Sequence, residues 1–194
     1  MANKAKVERI QAMAATGICL DKLGIDAEDT ISITAQWRNN ESKSLGVAVY
    51  NTSWGAPKAD VHSQQRFHYM GHKGEVKADQ AHRGYTGSFD EGGYASINPL
   101  FWRYTPDARG KFAGQNTYGY KSFENFSLAC DSVNKNETTL EVWDAELATA
   151  ASTLVVTAVL EAGRLSLDND GSAINVLHDE NGKPTELVVA HPKV

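Results

Sequence analysis

The 194-residue sequence is poor in cysteine and has no excess of positive charge. Its two cysteines, Cys19 and Cys130, lie far apart and outside any metal-like spacing. They exclude a disulfide framework and fit a reducing compartment, where both are expected to be buried small hydrophobes. The 19 Lys and Arg against 24 Asp and Glu give a formal net charge of -5. No nucleic-acid partner is therefore expected, because phosphate neutralisation needs clustered Lys and Arg.

Signal and membrane segments are missing from the sequence as well. The N-terminal residues are too polar for a signal peptide, and no apolar run is interpreted as a membrane span. We therefore expect a cytoplasmic protein with no membrane partner. With 41% hydrophobic and 22% charged residues, the chain has the composition and size of a globular protein. A single domain over residues 1–194 is predicted.

Motifs for nucleotide binding and hydrolysis are also absent. No Gly-x-Gly occurs anywhere, so the sequence has neither a dinucleotide-binding fingerprint nor a phosphate-binding loop. Gly-x-Ser-x-Gly and His-Glu-x-x-His, the signatures of common hydrolases and zinc enzymes, do not occur. No catalytic, cofactor-binding or metal-binding residue is therefore assigned, and catalysis by this chain alone is not predicted.

Alternating hydrophobicity marks the first two-fifths of the chain. Ile31, Ile33, Ala35 and Trp37 alternate with small polar residues, which predicts a half-buried antiparallel strand. Glycines in the segment 71–74 fit a tight hairpin turn, and a β-meander is the simplest connection. Further strands are predicted at Leu45–Trp54, Gln65–Met70 and Glu75–Asp79, with Val7–Thr16 interpreted as an edge strand.

The second half of the chain changes character twice. The segment from Gly84 to Tyr120 shows neither the strand nor the helix period of hydrophobicity, and we predict a long irregular segment that forms a wall of the site. Helical spacing follows, with Phe123, Phe126 and Cys130 on one stripe of a helix over Tyr120–Val133. Thr138 with Glu141 indicates a capping box that begins a second, long helix, and Asn181-Gly182 indicates a terminal hairpin. The predicted class is α+β: an open, predominantly antiparallel β-sheet with helices covering one face.

Two stretches of this sequence resemble the C-terminal domain of one enzyme family. Asn51–Tyr85, and Gly93–Leu100 with Phe112–Tyr120, are similar to the glucose-fructose oxidoreductase / inositol dehydrogenase (Gfo/Idh/MocA) family. The hairpin at Met70–Asp79 and the helices over Tyr120–Leu167 look like that family's hairpin and closing helices. The resemblance covers roughly residues 7–167. Asp79–Tyr85 and Gly114–Tyr120 are most similar to the D-galacturonate reductase-like branch.

The resemblance implies a two-domain, NAD(P)-dependent parent. A nucleotide-binding domain would hold NAD(P), and this domain would supply an open sheet, part of the sugar pocket and the oligomer interface. The family's Glu-Lys-Pro motif is missing, since the Lys183-Pro184 pair follows Gly182. The family's catalytic histidine lies on a helix before the matched region. We therefore expect a fragment or a truncated relative that binds no NAD(P) alone and is not competent for hydride transfer.

The loop after residue 53 is the first candidate site. Trp54, Lys58, Asp60 and His62 bring a flat ring, a cation, a carboxylate and an imidazole into one short segment. Trp54 could stack on a sugar face, while the other three could bind hydroxyls or a substrate carboxylate. An ordinary polar loop, with Trp54 at the edge of the core, is the alternative interpretation.

His82, Arg83 and Tyr85 form the second candidate cluster. The planar guanidinium of Arg83 suits the carboxylate of a uronic acid, although a surface or subunit salt bridge explains it equally well. Tyr118 is a candidate to close the pocket, and packing of the irregular segment is its alternative role. No metal site is predicted from the histidines at positions 62, 68, 72 and 82, because no acidic or cysteine partner has useful spacing.

The polar face of the first predicted strand carries Ser32, Thr34 and Gln36. Such a face can simply be solvated, whereas the resemblance implies that it packs against another subunit. A homo-oligomer through the open sheet face is predicted.

Two candidate functions follow from the sequence. One is the substrate-binding and oligomerisation domain of an NAD(P)-dependent sugar or sugar-acid oxidoreductase; the other is a stand-alone noncatalytic dimeric scaffold or carbohydrate-binding module.

Overall fold

The computed structural model describes residues 5–55, 65–79, 84–97 and 119–190. Two compact units divide the chain, one of Met1–Ala56 with Ser132–Val194 and the other of Pro57–Asp131. Every strand pair in the described residues is antiparallel, which confirms the α+β class with open antiparallel sheets. The elements are β1 (Ala5–Thr16), α1 (Ile18–Leu23), β2 (Glu28–Asn39), β3 (Leu45–Ser53), β4 (Arg66–Gly71), β5 (Gly74–Asp79), β6 (Gly84–Phe89), β7 (Gly93–Ile97), α2 (Tyr120–Asn134), α3 (Leu140–Glu146), α4 (Ala150–Leu167), β8 (Ile174–His178) and β9 (Pro184–Val189).

The first unit is built on a five-stranded sheet in the order β3-β2-β1-β8-β9. Strand alternation places one apolar face of this sheet against α4, as the spacing of Ile31 to Trp37 predicts. Ile10 lies opposite both Ala35 of β2 and Ile174 of β8. These three side chains are completely buried, so the core runs across the three central strands.

Small residues let α4 lie close to the sheet. A Cβ added at Gly163 would lie 2.7 Å from Ile33 Cδ1, so glycine permits the close approach there. Ser166 is fully buried, and its Oγ accepts a hydrogen bond from Ala12 N–H at 2.9 Å and donates one to the Ser172 carbonyl at 2.7 Å. The helix is thus joined to the middle of β1 by a buried hydroxyl as well as by apolar contact.

The 18 residues of α4 are also long and apolar enough to cross a membrane, by length and composition alone. The sequence interpretation of no such segment was wrong on that criterion. Mostly buried core helices pass the same test, whereas 22% of this helix is buried. Ala158, Val159, Ala162 and Gly163 of α4 are buried, and the helix packs against β1, β8 and β9.

The second unit contains a four-stranded meander in the order β4-β5-β6-β7. Gly71 lies opposite Gly74, so the hairpin predicted from these glycines is confirmed. The expected irregularity of Gly84 to Tyr120 is wrong for residues 84–97, which form β6 and β7. Residues 98–118 lie outside the described residues.

Four further expectations are corrected by the structure. β1 is a central strand between β2 and β8, not an edge strand. The predicted long helix is two helices, and the capping box lies at Thr149 and Ser152 of α4 instead of at Thr138. α2 is a helix as predicted, but Phe123 and Phe126 are exposed on it. Cys130 is exposed and Cys19 half-buried, so neither is the buried small hydrophobe that was expected.

Candidate functional site

The eight candidate residues divide sharply between described and undescribed parts of the chain. Trp54 follows β3 in the first unit, and Tyr85 lies on β6 in the second. Tyr85 is opposite Ala78 of β5 on one side and Ile97 of β7 on the other. The remaining candidates lie outside the described residues: Lys58, Asp60, His62, His82, Arg83 and Tyr118.

Trp54 combines a fixed backbone with a free ring. Its N–H donates to the Asp29 carbonyl at 2.8 Å, which extends the ladder between β2 and β3 by one step. The Ser53 hydroxyl donates to the same carbonyl at 3.3 Å, and Gly55 N–H donates to Ser53 Oγ at 3.2 Å. The Trp54 residue is nevertheless 80% exposed. An anchored backbone under an exposed indole is a geometry suited to stacking on a flat ligand face.

A pair of hydroxyls lies next to this ring in the chain. Thr30 and Ser53 are opposite each other across β2 and β3, and their side-chain oxygens are 2.7 Å apart. We call Asp29, Thr30, Ser53, Trp54 and Gly55 the Trp54 corner. Ser53 Oγ already donates to the Asp29 carbonyl and accepts from Gly55 N–H, so Thr30 Oγ1 is the donor of this pair and keeps its lone pairs for a ligand hydroxyl. The corner therefore combines an apolar ring with polar groups, as sugar-binding surfaces require.

The buried carboxylate of Asp29 fixes the start of α1 next to the corner. Asp29 is 2% exposed, and its two carboxylate oxygens accept hydrogen bonds from Ile18 N–H at 2.7 Å and Cys19 N–H at 2.6 Å. It thereby caps α1 from outside the helix, whose preceding residue, Gly17, has no side chain to do so. Hydrogen bonds from the Cys19 thiol and from the backbone of Ile18 lower the pKa of the Asp29 carboxyl. Asp29 is therefore a charged structural residue.

The corner lacks an activated nucleophile. The hydrogen bond to Asp29 is the largest cause that raises the pKa of the Cys19 thiol above its ordinary value, followed by burial. A thiolate is the reactive form of cysteine, and this environment disfavours it. Asp29 has both oxygens engaged by backbone amides. Neither side chain is therefore set up as a nucleophile or as a general base.

Neither capped helix start in the described residues fits a dinucleotide cofactor. Pyrophosphate binding uses free backbone amides at a glycine turn that begins a helix. The first amides of α1 are taken by Asp29, and those of α4 are closed by the capping box of Thr149 and Ser152. Among the described residues, no group of three or more His, Cys, Asp or Glu side chains could hold a metal ion.

A second polar cluster lies on the β4–β5 hairpin. Glu75 accepts a hydrogen bond from His68 Nε2 at 3.0 Å and another from Lys77 Nζ at 3.0 Å. His68 first, and then Lys77, lowers the pKa of the Glu75 carboxyl. All three side chains are between 37% and 49% exposed, so water screens the charges. This arrangement is an ordinary surface ion pair and is not a candidate catalytic group.

Sequence reasoning named Trp54 as a candidate but missed the residues that hold its backbone. Asp29, Thr30 and Ser53 belong to strands, where their polar side chains attract no attention from periodicity alone. One usable signal was Asp29 at the start of a strand just after a short helical stretch, since buried carboxylates commonly cap helices. Comparison of the chain with protein-family models, with curated proteins and with solved structures finds no match.

Proposed function

We propose that this chain is the substrate-binding and oligomerisation domain of an NAD(P)-dependent oxidoreductase that acts on a sugar or sugar acid. A separate nucleotide-binding domain would hold the cofactor, since the sequence contains no Gly-x-Gly and the first amides of α1 and α4 are already capped. The proposal rests on the sequence resemblance of Asn51–Tyr85, Gly93–Leu100 and Phe112–Tyr120 to the Gfo/Idh/MocA family, and the open antiparallel sheets are compatible with it.

The observation that carries the proposal is the exposed indole of Trp54 above an anchored backbone. Exposed tryptophan rings stack on the apolar face of a pyranose, and the energy gained depends on the ring keeping its orientation. Hydrogen bonds to Asp29 and Ser53 hold the chain on both sides of the ring. Lys58, Asp60 and His62 stay predicted to bind sugar hydroxyls or a substrate carboxylate, and His82, Arg83, Tyr85 and Tyr118 stay predicted substrate-binding residues.

The bare face of the five-stranded sheet supports the proposed oligomer. Ser32, Thr34 and Gln36 lie on the face opposite to the buried Ala35. Their neighbours on β3 are Val47 and Val49, which are 68% and 57% exposed. A mixed apolar and polar sheet face of this kind is typical of protein interfaces. We propose that a second copy covers it.

Ligand binding by the isolated chain tests the proposal directly. Titration calorimetry with D-galacturonate and with D-galactose should show binding of the acid that Trp54→Ala abolishes and Trp54→Phe largely keeps. Trp143→Phe is the matched control, because Trp143 donates to Ser132 within the helices and is part of no candidate cluster. Equal binding by Trp54→Ala and the wild type would refute the assigned role of the ring.

A reconstitution experiment separates the two candidate functions. The chain is mixed with the nucleotide-binding domain of a uronate reductase, and NADPH oxidation is followed with galacturonate present. Turnover above that of the added domain alone supports the oxidoreductase. Sugar binding without any turnover supports the second candidate, a noncatalytic dimeric scaffold or carbohydrate-binding module, which the exposed Trp54 also favours.

A further inference from the structure

The outer edge of β3 is the most unprotected backbone in the described residues. Leu45–Ser53 contains no charged residue and no proline, and it pairs with β2 without a register shift. Eight of its nine residues are exposed. Proteins usually protect such an edge with charges, prolines or bulges, because its unpaired amides and carbonyls can pair with another strand.

The opposite edge of the same sheet, formed by β9, has the protective features that β3 lacks. β9 begins with Pro184 and carries Glu186, and its pairing with β8 contains a register shift near His178. Each of these features opposes the addition of a further strand. Among the strands that the structure describes, one edge of this sheet is therefore protected against further pairing and the other is not.

Hydrogen bonds at the two ends of the β2–β3 ladder determine which groups of β3 point outward. Asn39 N–H donates to the Ser44 carbonyl at 2.9 Å, and Trp54 N–H donates to the Asp29 carbonyl at 2.8 Å. Since backbone groups alternate in direction along an antiparallel strand, the even-numbered residues of β3 bond to β2. The odd-numbered residues point their N–H and C=O groups to the free edge: Leu45, Val47, Val49, Asn51 and Ser53.

We propose that two copies of this chain pair along β3, antiparallel and about a two-fold axis at Val49, to form one continuous ten-stranded sheet. An antiparallel pair of identical strands is closed by two-fold symmetry. With Val49 opposite Val49, Val47 lies opposite Asn51 and Leu45 opposite Ser53. Each of the five outward-facing residues then finds a hydrogen-bonding partner of the correct alternation.

Side-chain size also matches in this register. On the face that carries Ile33, Tyr50 lies opposite the partner's Ala48, so a large ring is placed beside a small side chain. Tyr50 is 45% exposed in a single copy and becomes more buried when the two strands pair. No like charges meet, since the strand carries none. The contact uses the strand edge and is separate from the sheet-face contact of the proposed function.

Proline substitution tests the pairing in the full chain. Val49→Pro removes one outward N–H without touching the bonds to β2, and edge strands tolerate proline at such positions. Sedimentation velocity should show a concentration-dependent dimer for the wild type and for Val49→Ala, which keeps the N–H, and a monomer for Val49→Pro. Circular dichroism reports whether the variant stays folded. A wild type that is monomeric at all concentrations overturns the proposal.

A face contact is distinguished by Thr34→Lys, which places a charge on the open sheet face and leaves the β3 edge intact. If this variant is a monomer while Val49→Pro remains a dimer, the copies meet through their faces and the edge pairing is wrong.

Spin labels test the register whether or not Val49→Pro folds. In a Cys19→Ser, Cys130→Ser background, labels at Val49→Cys should broaden each other strongly. Labels at Leu45→Cys should lie about 27 Å apart, eight residues along the paired strands. A short distance at both positions contradicts the register.

Discussion

The five-stranded and four-stranded sheets are both antiparallel, yet they differ in how their side chains are covered. In the five-stranded sheet, Val7, Ile10 and Ile174 are completely buried. In the four-stranded sheet, every residue of β4 is exposed, including Phe67 at 59% and Tyr69 at 60%. In the described residues, β4 therefore pairs with β5 without burial of the β4 side chains, whereas the core of the first sheet forms where α4 packs against it.

The difference predicts where stability resides. Burial of apolar surface stabilises the folded state by about 25 cal/mol per Å², and β4 buries little apolar surface. An isolated hairpin is at best marginally stable in water, so meander strands rely on neighbours and cross-strand pairs. We expect substitutions in the first sheet to change the free energy of unfolding far more than substitutions in the second.

The largest effect is expected at the centre of the first sheet. Ile10→Ala removes fully buried methyl groups and should lower the free energy of unfolding by about 2–5 kcal/mol. Phe67→Ala is the matched control on β4, and its expected effect is within about 0.5 kcal/mol. Urea denaturation followed by circular dichroism measures both. A larger loss from Phe67→Ala would show that the exposed sheet carries the stability.

A smaller effect is expected where α4 meets β1. Ser166→Ala leaves the buried Ala12 N–H without its acceptor, which should cost about 1–3 kcal/mol in the free energy of unfolding. Ser127→Ala on α2 removes an exposed hydroxyl bonded to the Phe123 carbonyl at 2.9 Å and should leave that free energy nearly unchanged. Comparable losses from the two variants would mean that burial does not set the difference.

An effect of pH is expected from His178 at the end of β8. Burial, and then the nearby Lys6, lowers the pKa of this imidazole below its ordinary 6.5. Because the unfolded chain binds the proton more tightly, stability is fully present above pH 6.5 and falls as the pH drops toward the folded pKa. The urea midpoint of His178→Gln should therefore fall less than that of the wild type between pH 8 and pH 5. Parallel curves would contradict this assignment.

The smallest effect is expected on the second sheet. Glu75→Gln removes the charge that His68 and Lys77 share. Since the three side chains are well exposed, the melting temperature at physiological salt should stay unchanged within error. Raising the salt concentration should leave wild type and variant equally stable. A clear drop would show that this ion pair, and not the backbone ladder, holds β4 to β5.

Local patterns predicted the strands whose two faces differ. Apolar and polar residues alternate from Ile31 to Trp37 because one face of β2 packs against α4. The hairpins at Gly71–Gly74 and Asn181-Gly182 were predictable because glycine and Asn-Gly favour tight turns. The pattern could not say which strands are neighbours. β1 lies centrally because β8 returns from far along the chain to pair with it, and periodicity contains no such long-range information.

Other errors have local causes. Glycines at positions 84, 87 and 93 dilute the alternation of β6 and β7, so the segment looked irregular. The break between α3 and α4 falls at Leu147, without a proline or glycine to signal it. Of the candidate site, the ring of Trp54 was predictable from its type and position. Its support by Asp29 was not, because that contact joins β2, α1 and the end of β3.

That junction gives the molecule an internal chemical reporter. Cys19 shares Asp29 with the first amides of α1, and its hydrogen bond to that carboxylate raises the pKa of the thiol while the short helix is docked. The rate at which a small reagent alkylates Cys19 would follow the local opening of α1, which needs less free energy than global unfolding. The main-chain carbonyl of the same Asp29 accepts the Trp54 N–H, so the thiol lies close to the residue that anchors the end of β3.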